Sequence, residues 1–283
     1  MKRSYKRGFI GFFLFLMTIL VLGGWAFWLE PASYSAKNID IQLKKWPRAC
    51  DGLKVIVLAD LHIGSPFNGL DKLEKIVSTA NAEYPDLILL VGDYVITGVL
   101  GGRLIAPEPI ANQLGKLKAE MGVFAVLGNH DWWFDPNRVK KALQNVNIHL
   151  LEDASKWVGD HECKLWLVGI SDYWEGAHDV GKALAGIPPQ NTLLVITHNP
   201  DVFDAIPSDV SLIVAGHTHG GQVYLPFIGR LIIPSRFKDR FAIGHIFEND
   251  KHMYVSPGIG TSILPVRFLV PPEISVLHLL LEK

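Results

Sequence analysis

The chain reads as an α/β protein with two packed sheets and outer helices, preceded by one membrane-spanning helix. Three observations predict this. Five short runs rich in Val, Ile and Leu read as strands buried on both faces. Stretches with apolar residues at helical spacing separate the early runs, and strand-like segments dominate the second half. A stretch from Phe9 to Leu29 carries no charged side chain and is long enough to cross a hydrocarbon layer of ~30 Å.

At the amino terminus, Lys2, Arg3, Lys6 and Arg7 precede the apolar stretch, and Trp25 and Trp28 sit where interfacial aromatics belong. The stretch exceeds a usual signal core and no A-x-A cleavage site follows, which favours an uncleaved anchor over a signal peptide. The basic head keeps the amino terminus in the cytoplasm and places the body outside, although Lys37, Lys44, Lys45 and Arg48 blunt that bias and keep the cytoplasmic side open. The expected organisation is an anchor over residues 1–30, a polar linker over 31–38 and a single domain over 39–283. Helices are expected at Leu70 to Ala82, Ile110 to Met121, Pro136 to Leu143 (with Asp135 as N-cap) and Asp201 to Ile206. Further strands are expected at Leu165 to Ile170, Phe241 to Phe247, Met253 to Val255 and Ile274 to Leu281.

Composition narrows the function. The 283 residues are 49% hydrophobic, enough for a large core, and a formal net charge of -1 offers no basic field for nucleic acid. Cys50 and Cys163 lack metal-finger spacing; two plain thiols are expected, with a single bridge as the alternative.

Each of the five buried runs stops at a metal-type ligand. Val55 to Ala59 ends at Asp60, with His62 two residues on. Leu87 to Gly92 ends at Asp93. Val123 to Gly128 ends at Asn129-His130-Asp131. Leu193 to Thr197 ends at His198, and Leu212 to Gly216 ends at His217-Thr218-His219. Sites form at the carboxyl ends of strands in such sheets. Extended chain points residues i and i+2 to one side, so Asp60 and His62 converge, as do His217 and His219. Mixed oxygen and nitrogen donors suit two divalent ions such as Mn, Fe or Zn, and the inventory of Asp60, His62, Asp93, Asn129, His198, His217 and His219 exceeds one ion. Two ions about 3.5–4 Å apart activate water and clamp an in-line displacement at phosphorus, which makes phosphoester or pyrophosphate hydrolysis the expected reaction. His130 is the candidate acid for the leaving group, with Asp131 as the residue that orients it.

Taken together, Asp60-x-His62, Gly92-Asp93, Gly128-Asn129-His130-Asp131, His198 and Gly216-His217-x-His219 resemble the motif set of the calcineurin-like metallophosphoesterases, from about Leu53 to Gly221. The resemblance implies a four-layer αββα sandwich. It implies Asp60, His62, Asp93 and His219 around one ion, and Asp93, Asn129, His198 and His217 around the other, with His130 as leaving-group acid. The anchor, His217 to Val223 and Gly229-Arg230 resemble a bacterial membrane-associated subgroup. Some of that subgroup are phosphodiesterases, and others hydrolyse the pyrophosphate of UDP-2,3-diacylglucosamine in lipid A synthesis. Phosphomonoester hydrolysis and a non-catalytic metal-binding scaffold are the other readings. A UDP-linked substrate is made in the cytosol, which conflicts with an outward-facing body.

The remaining candidates read as ordinary structure. His149, His161, His178, His245, His252 and His278 are expected at surface or core positions, His278 by packing in its strand. Trp132-Trp133-Phe134 is expected to pack on the sheet, the alternative being a wall for a lipid or sugar. Tyr224 to Ile228 and Leu231 to Ile233 are expected to touch a lipid substrate or the bilayer. Arg230, Arg236 and Arg240 are equally compatible with phosphate contact and with solvated charge.

Overall fold

The computed structural model describes residues 2–159 and 162–282, with side chains from residue 9 onward; His161 lies outside the described residues. Helix α1 (Lys2–Gly24) continues through a π-type stretch at Trp25–Leu29 and a last turn at Glu30–Ala32. The segment from Phe9 to Ala32 is long and apolar enough to cross a membrane, and little of it is buried in the protein.

The body contains β1 (Ser35–Leu43), β2 (Leu53–Leu58), α2 (Leu70–Ala82), β3 (Leu87–Leu90), α3 (Pro107–Leu114), β4 (Val123–Ala125), α4 (Asn129–Phe134), α5 (Pro136–Gln144) and β5 (His149–Leu150). There follow β6 (Ala154–Gly159), β7 (Lys164–Ile170), α6 (Val180–Leu184), β8 (Leu193–Thr197), β9 (Leu212–Ala215), the hairpin β10 (Tyr224–Leu225) and β11 (Gly229–Arg230), then β12 (Gly244–Glu248), β13 (Lys251–Val255) and β14 (Glu273–Leu281). One six-stranded sheet has the order β1-β14-β2-β3-β4-β5 and the other β12-β13-β9-β8-β7-β6. The runs β2-β3-β4-β5 and β7-β8-β9-β13 pair in parallel. Within each sheet, the ligand-bearing strand ends therefore share one edge.

The period-2 geometry of the strands builds four layers. Val55, Val57, Leu87 and Leu89 face inward onto Leu167, Leu194, Ile196 and Val214 of the other sheet. Ile56, Leu58, Ile88 and Leu90 face outward onto Leu73, Ile76, Ile110 and Leu143 from α2, α3 and α5. Val168, Val195 and Ile213 carry the opposite outer layer, with Ala183, Phe203 and Phe241. The αββα sandwich is thus present, and a strand apolar on both faces is what it requires.

Several element boundaries differ from expectation. The stretch expected as a linker belongs to the body: β1 starts at Ser35 and pairs with β14 over its whole length. Its exposed Lys37 and Gln42 hid the strand. Helix α3 begins at Pro107 and stops at Leu114, with Gly115 as its C-cap at a position where a Cβ would lie 2.7 Å from Val146. Asp201 to Ile206 forms a 3₁₀ segment, Pro200–Ala205, started by the Asn199 side chain. The Phe241 to Phe247 stretch divides into a 3₁₀ turn, Lys238–Phe241, and β12, which starts at Gly244 with φ of 85°. Helix α5 agrees with expectation, and the Asp135 carboxylate accepts from the Arg138 amide at 3.0 Å.

Cys50 and Cys163 are not plain thiols. They form a disulfide across 113 residues, joining the turn before β2 to the β6–β7 hairpin and so one sheet to the other. Two cysteines in separate motifless segments carry no local signal of their pairing.

Candidate metal centre

All seven expected ligands meet at the adjoining carboxyl edges of the two sheets, and every one is buried. Asp60, His62, Asp93, His217 and His219 all have positive φ, between 41° and 70°. Side chains other than glycine rarely adopt this backbone, and its concentration here marks strand ends bent to aim their donors. Two glycines permit the close approach. A Cβ at Gly92 would lie 2.5 Å from the Gly128 nitrogen and 2.7 Å from His198 Nδ1; one at Gly128 would lie 2.2 Å from Asp93 Oδ1.

The donor atoms fall into two sets. In the first, His62 Nε2 lies 3.1 Å from His219 Nε2 and 3.3 Å from Asp93 Oδ2, and His219 Nε2 lies 3.5 Å from Asp60 Oδ1. In the second, His198 Nε2 lies 3.1 Å from Asn129 Oδ1, 3.1 Å from His217 Nδ1 and 3.4 Å from Asp93 Oδ2. Asp93 Oδ2 belongs to both. Around an ion with bonds of ~2.1 Å, neighbouring donors sit ~3.0–3.4 Å apart. The observed separations, 3.1–3.5 Å, lie within about 0.1 Å of those edge lengths.

The surrounding hydrogen bonds prepare the donors. Asp93 Oδ1 accepts from the His130 amide at 2.9 Å, which leaves Oδ2 for the shared position. His198 Nδ1 donates to the Val91 carbonyl at 2.8 Å, so Nε2 is the nitrogen aimed at the centre. Asp60 accepts from the His217 amide with both oxygens at 3.0 Å. Burial pushes His62 down to about 3 and holds His217 and His219 well below the usual imidazole range, so these rings are neutral, the form a metal ligand needs. Burial drives Asp60 up to about 7. Burial also opposes protonation of His198, yet the Asp93 charge beside it carries its pKa up to about 10. The Asp93 charge thus favours positive charge at the point where carboxylate, amide and imidazole lone pairs converge, and a divalent cation fits that donor set.

His130 sits at the rim. Its Nδ1 takes the Thr97 amide at 3.2 Å and lies 2.6 Å from Thr97 Oγ1. Accepting at Nδ1 leaves the proton on Nε2, which lies 3.4 Å from Ser262 Oγ. The expected partnership with Asp131 is not seen. Asp131 instead accepts from the amides of Asp93, Tyr94, Val95 and Gly128 at 2.8–3.3 Å. It is fully buried and ties the β3 and β4 strand ends together; Thr97 orients the imidazole.

Other residues complete the surroundings. Trp174 sets its ring edge-on to His217 at 4.3 Å, and Trp133 lies 4.7 Å from His130. The two indoles are half-exposed and lie 6.5 Å apart, inclined by 23°. Trp132 and Phe134 pack on the core as expected, so Trp133 alone of the three reaches the site. Arg267 is fully buried and donates to the carbonyls of Pro257, Gly260 and Val270 at 2.6–3.1 Å, setting the loop that carries Ser262. Sequence reasoning missed Thr97, Asp172, Trp174, Ser262 and Arg267. Asp172, which accepts from the Trp174 amide at 2.9 Å, had a usable signal: it follows the apolar run of β7, a sixth strand end with a carboxylate. Among the described residues, the other histidines pair elsewhere. His245 and His252 stack on each other, His149 lies beside Phe124, and His178 lies beside Tyr173. His278 does more than pack, since its Nε2 lies 2.8 Å from Asn38 Oδ1.

The sequence model of the calcineurin-like phosphoesterase family matches residues 53–221, well over half of the chain. The chain belongs to the calcineurin-like phosphoesterases. It is 30% identical over 288 residues to the uncharacterized metallophosphoesterase YkuE of Bacillus subtilis, covering 99% of each chain. It is 30% identical to the phosphodiesterase YaeI of Escherichia coli, over 80% of this chain and 82% of that one. It is 31% identical to a transmembrane protein with metallophosphoesterase domain of Danio rerio, over 84% of this chain and 55% of that one. As a calcineurin-like phosphoesterase, the chain is a metal-dependent hydrolase of phosphoesters.

Proposed function

We propose that the chain is a membrane-anchored, two-metal phosphodiesterase. The observation that carries this reading is the shared oxygen: Asp93 Oδ2 lies 3.3 Å from His62 Nε2 and 3.4 Å from His198 Nε2, inside both donor sets. Asp60, His62, Asp93 and His219 would hold one cation, and Asp93, Asn129, His198 and His217 the other. The nitrogen and oxygen donors suit Mn, Fe or Zn. A cation pair bound there acidifies water and neutralises the phosphoryl charge.

The protein groups supply the rest. His130 donates its Nε2 proton to the departing oxygen while water adds to phosphorus. The P–O bond to that oxygen breaks, giving an alcohol and a phosphomonoester, and a proton from water restores His130. Thr97 holds the tautomer this requires, and Ser262 Oγ stands beside the donating nitrogen. The half-exposed Trp133 and Trp174 bound the approach to the metal donors.

The apolar segment from Phe9 to Ala32 supports an anchor. The Cys50–Cys163 bridge supports an oxidising compartment for the body, in agreement with the basic head. That placement favours a phosphodiester outside the cytosol over the cytosolic UDP-2,3-diacylglucosamine.

Chelator-stripped protein should regain hydrolysis of bis(4-nitrophenyl) phosphate as Mn is titrated to about two equivalents per chain. Failure of Mn, Fe and Zn alike to restore turnover sinks the proposal.

A further inference from the structure

The rim of the metal centre carries exposed apolar side chains on several separate loops, and backbone contacts connect those loops to the end of the apolar helix. The Arg267 amide donates to the Ala26 carbonyl at 2.9 Å. The Glu30 carboxylate, itself buried, accepts from the amides of Leu269 and Val270 at 3.0 and 2.6 Å. The 260–270 loop so held bonds through Phe268 to Gln222 and Tyr224 at the start of the β10–β11 hairpin, and through Ile263 to Leu100. Arg103 then bonds to Gly64, and Phe67 stacks with Trp28 at 6.2 Å, which returns to the helix. The loops joined in this ring carry Thr97 and Ser262, the two partners of His130, and so border the reaction site.

Each loop in the ring presents large apolar groups to the outside. Ile263 is 69% exposed and Leu100 66%; Phe227 at the hairpin tip is fully exposed, followed by Ile228 and Ile232. Soluble surfaces seldom gather so many. The helix fixes what covers them. About 20 residues cross ~30 Å of hydrocarbon, so a span entered at Phe9 reaches the far interface near Trp28. Phe67 stacks on Trp28 at that level. Strand β1 begins at Ser35, with Glu30 already bonded to the body, so no free tether lets the domain turn away.

We propose that the catalytic face lies on the bilayer, with the β10–β11 hairpin and the Leu100 and Ile263 loops dipping into its apolar boundary. The metal centre then opens on lipid headgroups, and the substrate class is a phosphodiester borne by a membrane lipid. The assignment of substrate class rests on the phosphodiesterase reading; the docking of the face does not.

Both native cysteines are in the disulfide, so a single added cysteine can be spin-labelled in the full chain. Phe227→Cys, Ile232→Cys and, as a control on the opposite end of the strands, Tyr84→Cys serve in vesicles of phosphatidylglycerol and phosphatidylethanolamine. Tyr84 is 85% exposed. Labels at 227 and 232 should be reached by oxygen and shielded from a water-soluble nickel chelate, with the reverse at 84. Equal chelate access at all three sites overturns the docking. Dipolar broadening between labels at 227 assigns the face to a second copy of the chain and overturns it too. For the substrate class, hexadecyl 4-nitrophenyl phosphate in vesicles should be hydrolysed at least about tenfold faster than the ethyl ester. The Phe227→Glu/Ile232→Glu variant should lose that advantage while keeping its rate on the ethyl ester. Equal rates on both esters reject a lipid substrate and leave hydrolysis standing, whereas no turnover of either strikes the phosphodiesterase reading and leaves the depth measurement valid.

Discussion

His130 Nδ1 accepts the Thr97 amide, and the consequence is chemical: the proton resides on the nitrogen that faces Ser262 and the open site. His130→Gln should lower kcat on poor leaving groups by about 10²–10⁴-fold with unchanged metal content, read by steady-state kinetics and elemental analysis together. An unchanged kcat would remove the acid role. Asp93→Asn belongs to the same scale. It alters the one side chain common to both donor sets, so metal content should fall in both and turnover should drop more than ~100-fold. Glu152 offers a test of stability. Burial pushes its carboxyl from 4.5 up to about 7, although the Leu127 amide donates to it at 2.8 Å. Below pH 4.5 the folded and unfolded chains are both protonated there. Between that point and about 7 the unfolded chain releases a proton that the folded chain retains, so stability falls as pH rises. Glu152→Gln should therefore gain about 1–3 kcal/mol at pH 8 and almost nothing at pH 4, measured by urea unfolding.

At the scale of elements, five strand ends do the positioning, three of them through bent backbone, and this was the part most open to reading. A strand buried on both faces must be a short apolar run, and the first polar residue after it must stand at the sheet edge. Asp60, Asp93, Asn129, His198 and His217 were visible for that reason. Thr97, Ser262 and Arg267 were not, because each acts through contacts across 33, 132 and 7 residues that leave no local pattern. Asp131 shows a related limit. Its position beside His130 suggested that it orients the ring, whereas the turn of α4 points its carboxylate at four amides. Strand β1 was only partly legible because its outward residues are polar. The Cys50–Cys163 bridge, for which two isolated cysteines give no local signal, ties the two sheets together. Cys50→Ser/Cys163→Ser should lose about 2–4 kcal/mol by chemical denaturation while retaining metal and activity at low temperature. A loss of metal in the folded variant would show that the bridge reaches the site.

Across the whole molecule, two sheets pack face to face, a disulfide ties them, and an apolar helix is bonded through Glu30 to the loops at the site. The proposed function requires these parts to hold two cations on one carboxylate oxygen. Anomalous diffraction at the manganese edge from Mn-loaded crystals of the body measures this directly. Two peaks about 3.5–4 Å apart, on either side of Asp93 Oδ2, are expected. A single peak at full loading, or two peaks that share no ligand, would contradict it.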